Sequence, residues 1–252
     1  MMFRAACMLV ALAIAVPGPG AAQDVPISCE QISSARYVEP TIRYPHGALG
    51  DDSEWGGLEV RLSGAGTCPG GARLQVKLPE ALVFEDVAPR LVDVTGDGAP
   101  EIVVVESHQN LGARLAIWGI DAGTFTRLVA TPHIGTRFRW LAPVGVGDLD
   151  GDGKVELAYV DRPHLAKTLR VWRYDAGALS QVASLGGLSN HRIGDREISG
   201  GLRDCGSGTE MVTASGDWTR LVSTRLEAGR LRARDIGPNT GERAFRAAMA
   251  CR

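Results

Sequence analysis

The chain has 252 residues and a formal net charge of −2 at neutral pH, too mild and too evenly spread to mark a nucleic-acid surface. Glycine is abundant, at 32 residues, and aromatics make up only 6 %, which suits many short strands joined by tight turns. A G-x-S-x-G elbow, a P-loop, an H-E-x-x-H helix and a C-x-x-C pair are all missing from the sequence, so the usual hydrolase, nucleotide, zinc and redox signatures are excluded.

The chain opens with the three-part pattern of a secretory signal peptide. Arg4 supplies the positive charge, Ala5 to Val16 the apolar run, and Ala21 and Ala22 the small residues of a cleavage site. Cleavage after Ala22 is expected, with an uncleaved anchor as the alternative, and the protein is expected to be periplasmic or secreted. No later stretch is apolar enough to span a membrane, so the mature chain is expected to have no membrane span. Residues 23–252 then form one domain. They hold four cysteines, Cys29, Cys68, Cys205 and Cys251, an even count that favours disulfides in an oxidising compartment. Four cysteines allow three pairings; chain proximity suggests Cys29 with Cys68 and Cys205 with Cys251.

Residues 24–45 are proline-punctuated and irregular, and are expected to contribute a strand that closes a ring. Beyond them the sequence repeats. DVTGDGAPEIVVV, from Asp93, returns as DLDGDGKVELAYV, from Asp148, an offset of 55 residues. Downstream, Trp118 falls on Trp172, Asp121 on Asp175 and Gly123 on Gly177. A decayed third copy, LRDCGSGTEMVTA, keeps only Asp204 and Glu210, and a fainter one around Asp51 and Glu59 is trusted only as a hairpin. Each clear unit reads as four strands: a short one entering the acidic loop, a β-branched central run such as Glu101 to Glu106, an alternating strand carrying tryptophan, and a polar outer strand. A single such sheet cannot bury both faces, but several packed side by side can. The expected fold is all-β: a small propeller of about four four-stranded blades, with units near 37–88, 89–143, 144–198 and 199–240 and a short C-terminal helix in GERAFRAAMACR. An open β-solenoid or a sandwich is the competing architecture.

The acidic loops carry the clearest chemistry. Asp148, Asp150 and Asp152 alternate, Gly151 and Gly153 permit a tight turn, the Lys154 carbonyl can face inward, and Glu156 can close the shell. Hard oxygen donors in that number suit calcium. An EF-hand is rejected, because position 12 of the loops is Tyr159 or Val104 and strands flank both loops. With strands on either side, D-x-D-x-D-G-x-x-E followed by an apolar strand resembles the FG-GAP/VCBS repeats, the calcium-bearing blades of integrin α-subunit propellers and of many exported bacterial proteins. The resemblance covers roughly residues 80 to 235 and implies a propeller with calcium at the matching positions. In the first loop these are Asp93, Thr95, Asp97, the Ala99 carbonyl and Glu101, a weaker site because Thr95 replaces a stronger ligand. The third loop is expected to hold no ion.

No catalytic residue emerges. His46, His108, His133, His164 and His191 are scattered without metal-ligand spacing, each more often a loop histidine than a base. The expected function is an exported, non-enzymatic, calcium-binding repeat protein whose partner is a protein or an anionic or sugar-like ligand. A calcium-dependent phosphoesterase-like hydrolase is the alternative, since propellers host both. Eleven residues before the second and third acidic loops stand Arg137 and His191. With Arg139, Trp140 and Arg192 they would gather at the end opposite the acidic loops, where guanidinium and indole groups suit such a ligand; the competing reading is solvated rim arginines with Trp140 packed between blades.

Overall fold

A computed structural model describes residues 25–26, 31–63 and 72–252. The expected signal segment 1–22, and Cys29 and Cys68 with their suggested pairing, lie outside the described residues. The strands in chain order are β1 (Val25–Pro26), β2 (Gln31–Thr41), β3 (Glu54–Ser63), β4 (Ala72–Lys77), β5 (Leu82–Phe84), β6 (Arg90–Val92), β7 (Glu101–His108), β8 (Gly112–Asp121) and β9 (Thr124–Ala130). Then come β10 (Leu141–Gly147), β11 (Glu156–Asp161), β12 (Thr168–Asp175), β13 (Ala178–Gly186), β14 (Leu188–Ser189), β15 (Gly201–Asp204), β16 (Thr209–Ser215), β17 (Arg220–Glu227) and β18 (Arg230–Pro238), followed by the helix α1 (Glu242–Met249).

All the pairings are antiparallel, in three sheets. The first runs β1-β9-β8-β7-β5-β3-β2, with β4 on β3 and β6 on β7; the second is β10-β11-β12-β13; the third is β14-β16-β17-β18, with β15 on β16. The three clear repeats are therefore meanders centred on β7, β11 and β16. Their outer hairpins share one turn: Ala122-Gly123, Ala176-Gly177 and Ala228-Gly229 all have positive φ at both residues. Two left-handed residues give the tight hairpin whose twist matches the strands, and glycine at the second position removes half the steric cost.

β7 is buried along seven of its eight residues because it is covered on both faces. Its side chains alternate between two cores. Ile102 and Val104 pack with Leu58, Val60, Leu62 and Trp118, while Val103 and Val105 pack with Trp140, Leu141, Leu157 and Tyr159. In β11, Leu157 and Tyr159 face back to that second core, and Ala158 and Val160 face forward to Leu188, Met211 and Val222. In β16, Met211 faces back, and Val212 and Ala214 face Phe245 and Ala248 of α1. Period-two alternation thus gives each central strand two different neighbours. The expected pairing of Cys205 with Cys251 is present and ties the end of α1 to the loop after β15.

Three expectations need correction. Residues 31–41 are not irregular but form an eleven-residue strand, which pairs with β3 inside the first sheet rather than with the last sheet. The outer face of the last sheet is covered by α1. The sheet limits fall at Leu141 and Leu188, upstream of 144 and 199. An acidic motif marks the end of an inner strand, so the start of that strand lies earlier. In the last repeat the inner position is also divided, with β14 on Ala214 and Ser215 and β15 on residues 209–212 of β16.

Candidate functional site

Each acidic loop joins an inner strand to its central strand, so the loops lie at one end of the sheets. In the second loop, Asp148 accepts from the Gly151 and Gly153 N–H groups at 2.7 and 2.9 Å, and Asp152 accepts from Lys154 N–H. Gly151 and Gly153 have φ of 81° and 84°, which turns those N–H groups inward. Oxygens of Asp148, Asp150 and Glu156 lie within 4.8 Å of one another, and Asp150 Oδ1 is buried without a hydrogen-bond partner. These residues fit a hard divalent cation.

The second loop contains a cation of its own that the sequence reading missed. The Arg173 guanidinium reaches Glu156 at 2.5 Å, Asp150 at 2.6 Å and Asp152 at 2.9 Å. Burial opposes its charge, but its bonds to Glu156 and Asp150 outweigh that and raise its pKa. Arg173 is the cross-strand partner of Glu156. The residue after Trp118 in the first repeat is Gly119, where a Cβ would stand 3.0 Å from Glu101 Cγ, so no side chain fills that position. There Glu101 accepts from Val94 N–H at 2.7 Å, as Glu156 does from Leu149 N–H at 2.9 Å, and also from Thr95 N–H at 3.1 Å and the Thr95 hydroxyl, while Asp93 accepts from Gly96 and Gly98 and Asp97 from Ala99. Burial raises the Glu101 and Glu156 carboxyl pKa values against these donors. Among the described residues only Asp148, Asp150 and Glu156 form a converging acidic set. In the third loop, Glu210 is bound by Arg203 at 2.7 Å and Arg234 at 3.5 Å, and Asp204 caps Gly206 and Gly208.

The opposite end of the sheets is basic and aromatic. A cavity of about 240 Å³ there is lined by His46, Phe138, Arg139, Trp140, Arg162 and His164, with Leu165 and Ile193 at its edge. Histidines far apart in the chain meet around it. His46 stacks on Phe138 at 5.0 Å, its Nδ1 bound to the buried Glu85 carboxylate, which also accepts from Ser107. His164 Nε2 lies 3.0 Å from His191 Nδ1, and His191 Nε2 donates to the Asp195 carbonyl at 2.8 Å. Phe138 takes a left-handed φ of 58°, a costly conformation for a bulky residue, held by its N–H donating to the Tyr44 hydroxyl at 2.8 Å.

The five residues singled out for a ligand are placed differently from one another. Arg139 and Trp140 line the cavity, and His191 is fully buried behind it, with its ring 4.8 Å from that of Trp140. Trp140 is only 3 % exposed and spends its indole N–H on the Glu85 carbonyl at 2.8 Å, so it is a wall and not a stacking platform. Arg137 lies over the Phe138 and Tyr44 rings at 4.6 and 5.4 Å. Arg192 turns away to Trp218, 4.3 Å from its ring, beside a second cavity of about 450 Å³. His46, Glu85 and His164 were not singled out, because only the fold brings them together.

Stacked antiparallel meanders with acidic loops at one end define a β-repeat protein. Residues 93–159 match the FG-GAP-like repeat, so the chain carries a repeat of that family across its first two acidic loops. No curated protein matches the chain. The similar solved structures include two with a TM-score of 0.44: a protein from Lactobacillus plantarum, at 14 % identity over 73 % of this chain and 53 % of that one, and the exotype rhamnogalacturonan lyase YesX, at 12 % identity over 86 % and 51 %. The chain spans about half the length of each.

Proposed function

We propose that the protein is an exported, non-catalytic repeat protein of about four propeller-type blades, braced by calcium at its acidic loops, that binds a small ligand or partner at the opposite end. The observation that carries this reading is the separation of two chemistries. Loop carboxylates converge at one end of the sheets, while at the other Arg137, Arg139, His46 and His164 surround or line a cavity and the buried acids Glu85, Glu106 and Asp161 are already paired. The acidic end braces and the basic end recognises. Replacing Arg139 with Ala should weaken a ligand without changing calcium affinity, measured by calorimetry. A screen of the purified protein against phosphoesters and glycosides, with and without chelator, should give no turnover; chelator-sensitive hydrolysis would overturn the non-catalytic reading. Export predicts a mature terminus near residue 23, and a native mass that retains Met1 would reject it.

Calcium would be held at Asp148, Asp150, Asp152, the Lys154 carbonyl and Glu156, and more weakly at Asp93, Thr95, Asp97, the Ala99 carbonyl and Glu101. At a hundredfold excess over Kd such an ion adds about 2.7 kcal/mol to stability. Asp150→Ala should remove most of that gain, Asp204→Ala little. An unchanged melting temperature on chelation would count against the ion.

Arg173 sharpens the expectation. It neutralises part of the loop before any ion arrives, so the fold does not depend on calcium alone. Arg173→Met should lower stability in chelator by about 1–2 kcal/mol, the worth of charge-assisted hydrogen bonds, and enlarge the gain on adding calcium. Equal calcium gains in parent and variant would show that the guanidinium does not share the ion's role.

A further inference from the structure

We propose that the cavity lined by His46 and His164 recognises hydroxyl groups, and that its ligand is a neutral saccharide rather than an anion. The proposal rests on the reading of this cavity as the ligand site. Its basis is the position of each imidazole proton, which fixed partners decide.

The Asp195 carbonyl can only accept, so His191 Nε2, 2.8 Å away, carries a hydrogen. His191 is fully buried, and burial lowers its pKa, so the ring is neutral and Nδ1 is a lone pair. His164 Nε2, 3.0 Å from that lone pair, must donate to it. Burial above all brings the His164 pKa down to about 4, so this ring is neutral as well. Its Nδ1 is therefore a bare acceptor, with no protein partner among the described residues.

His46 has the opposite character. Its Nδ1 meets the Glu85 carboxylate, which is wholly buried. Burial raises the Glu85 pKa, and an unpaired negative charge there would be costly. Burial favours the neutral Glu85 carboxyl, whose Oε1–H donates to His46 Nδ1, and the imidazole hydrogen then sits on Nε2. That N–H has no partner among the described residues.

One cavity thus offers an imidazole donor and an imidazole acceptor. Hydroxyl groups satisfy both, accepting from His46 and donating to His164. A carboxylate or sulfate brings only lone pairs and would set one of them against bare Nδ1. Leu165 and Ile193, 63 % and 73 % exposed, give the edge apolar surface for the C–H face of a sugar ring. The exposed Arg139 guanidinium supplies further donors for ring hydroxyls.

The test is calorimetric titration of the full mature chain. One panel contains neutral mono- and disaccharides; the other contains their uronates, acetate and sulfate. A neutral saccharide should bind, and its uronate should bind no more tightly. His164→Phe, which removes the acceptor, should weaken the saccharide about tenfold, and His164→Asn, which restores one, should recover most of that loss. Anions that bind where neutral saccharides do not, or an unchanged saccharide affinity in His164→Phe, would overturn the hydroxyl assignment and leave the cavity standing as a ligand site. Binding by neither panel at millimolar concentration would overturn both. If His164→Phe fails to fold, the comparison of panels on the parent chain still decides.

Discussion

Replacing Glu106 with Ala is expected to destabilise the fold by about 3–5 kcal/mol. Glu106 is wholly buried at the far end of β7 and holds three donors. Arg114 reaches its Oε2 at 2.7 Å, while Arg127 and the Trp118 indole N–H reach its Oε1 at 2.9 and 2.8 Å. Arg127 also lies 5.0 Å from the Trp118 ring, so one carboxylate organises both the charge and the stacking of the β8–β9 hairpin. Its removal leaves two partly buried guanidinium groups and an indole N–H without an acceptor, and each must be hydrated or tolerated unpaired. Glu106→Gln, which keeps one acceptor and the volume, should lose clearly less. Urea denaturation of the two variants provides the measurement, and equal losses below about 1 kcal/mol would mean that Glu106 is bystander charge.

Glu54 is expected to act in the opposite sense. It is 2 % exposed at the start of β3, and burial first, then the charges of Glu85, Asp51 and Asp86, push its pKa up to about 10. In the unfolded chain a glutamate titrates near 4.3. Between those values the folded state binds the extra proton, so stability is greatest below about pH 4 and falls as pH rises towards 10, by up to about 1.4 kcal/mol per pH unit. By pH 7 this one residue has cost about 4 kcal/mol. Glu54→Gln is neutral at every pH and should be more stable than the parent at pH 7, with the advantage shrinking towards pH 5. Parallel stability profiles for the two proteins would show that Glu54 ionises freely in the fold.

Much of the local structure was legible in the chain. The β-branched run at Ile102 to Val105 became a doubly covered strand, the Asp-Ala-Gly triplets became hairpin turns, and the alanine- and arginine-rich tail became α1, with Cys251 bound to Cys205. These are short-range signals, set by period and by turn chemistry. What the chain concealed is long-range. Arg173 closes the second loop from a neighbouring strand, although the repeat itself held a hint, since Gly119 stands in its place one unit earlier. Glu106 and Asp161 occupy the same repeat position and both bind arginines, but a lone acid at a strand end carries no pattern. The histidine cluster joins His46, His164 and His191 from different sheets and loops, a contact that no spacing encodes. The strand at 31–41 was obscured by its polar residues: five of its eleven positions are exposed, and only Ile32 and Tyr37 are buried.

Because β7 and β11 each contribute to the cores on both sides, a packing defect in one sheet is felt by its neighbours, and stability is shared along the stack as nearest-neighbour coupling. Such stacks can lengthen wherever a terminal sheet presents a bare apolar face. Here Phe245 and Ala248 of α1 occupy the face formed by Val212, Ala214 and Leu221, and the Cys205–Cys251 bond holds the helix in place. The helix works as a covalently latched end-stop: a further sheet, whether from duplication of the repeat or from a second molecule, would have to displace it before it could dock.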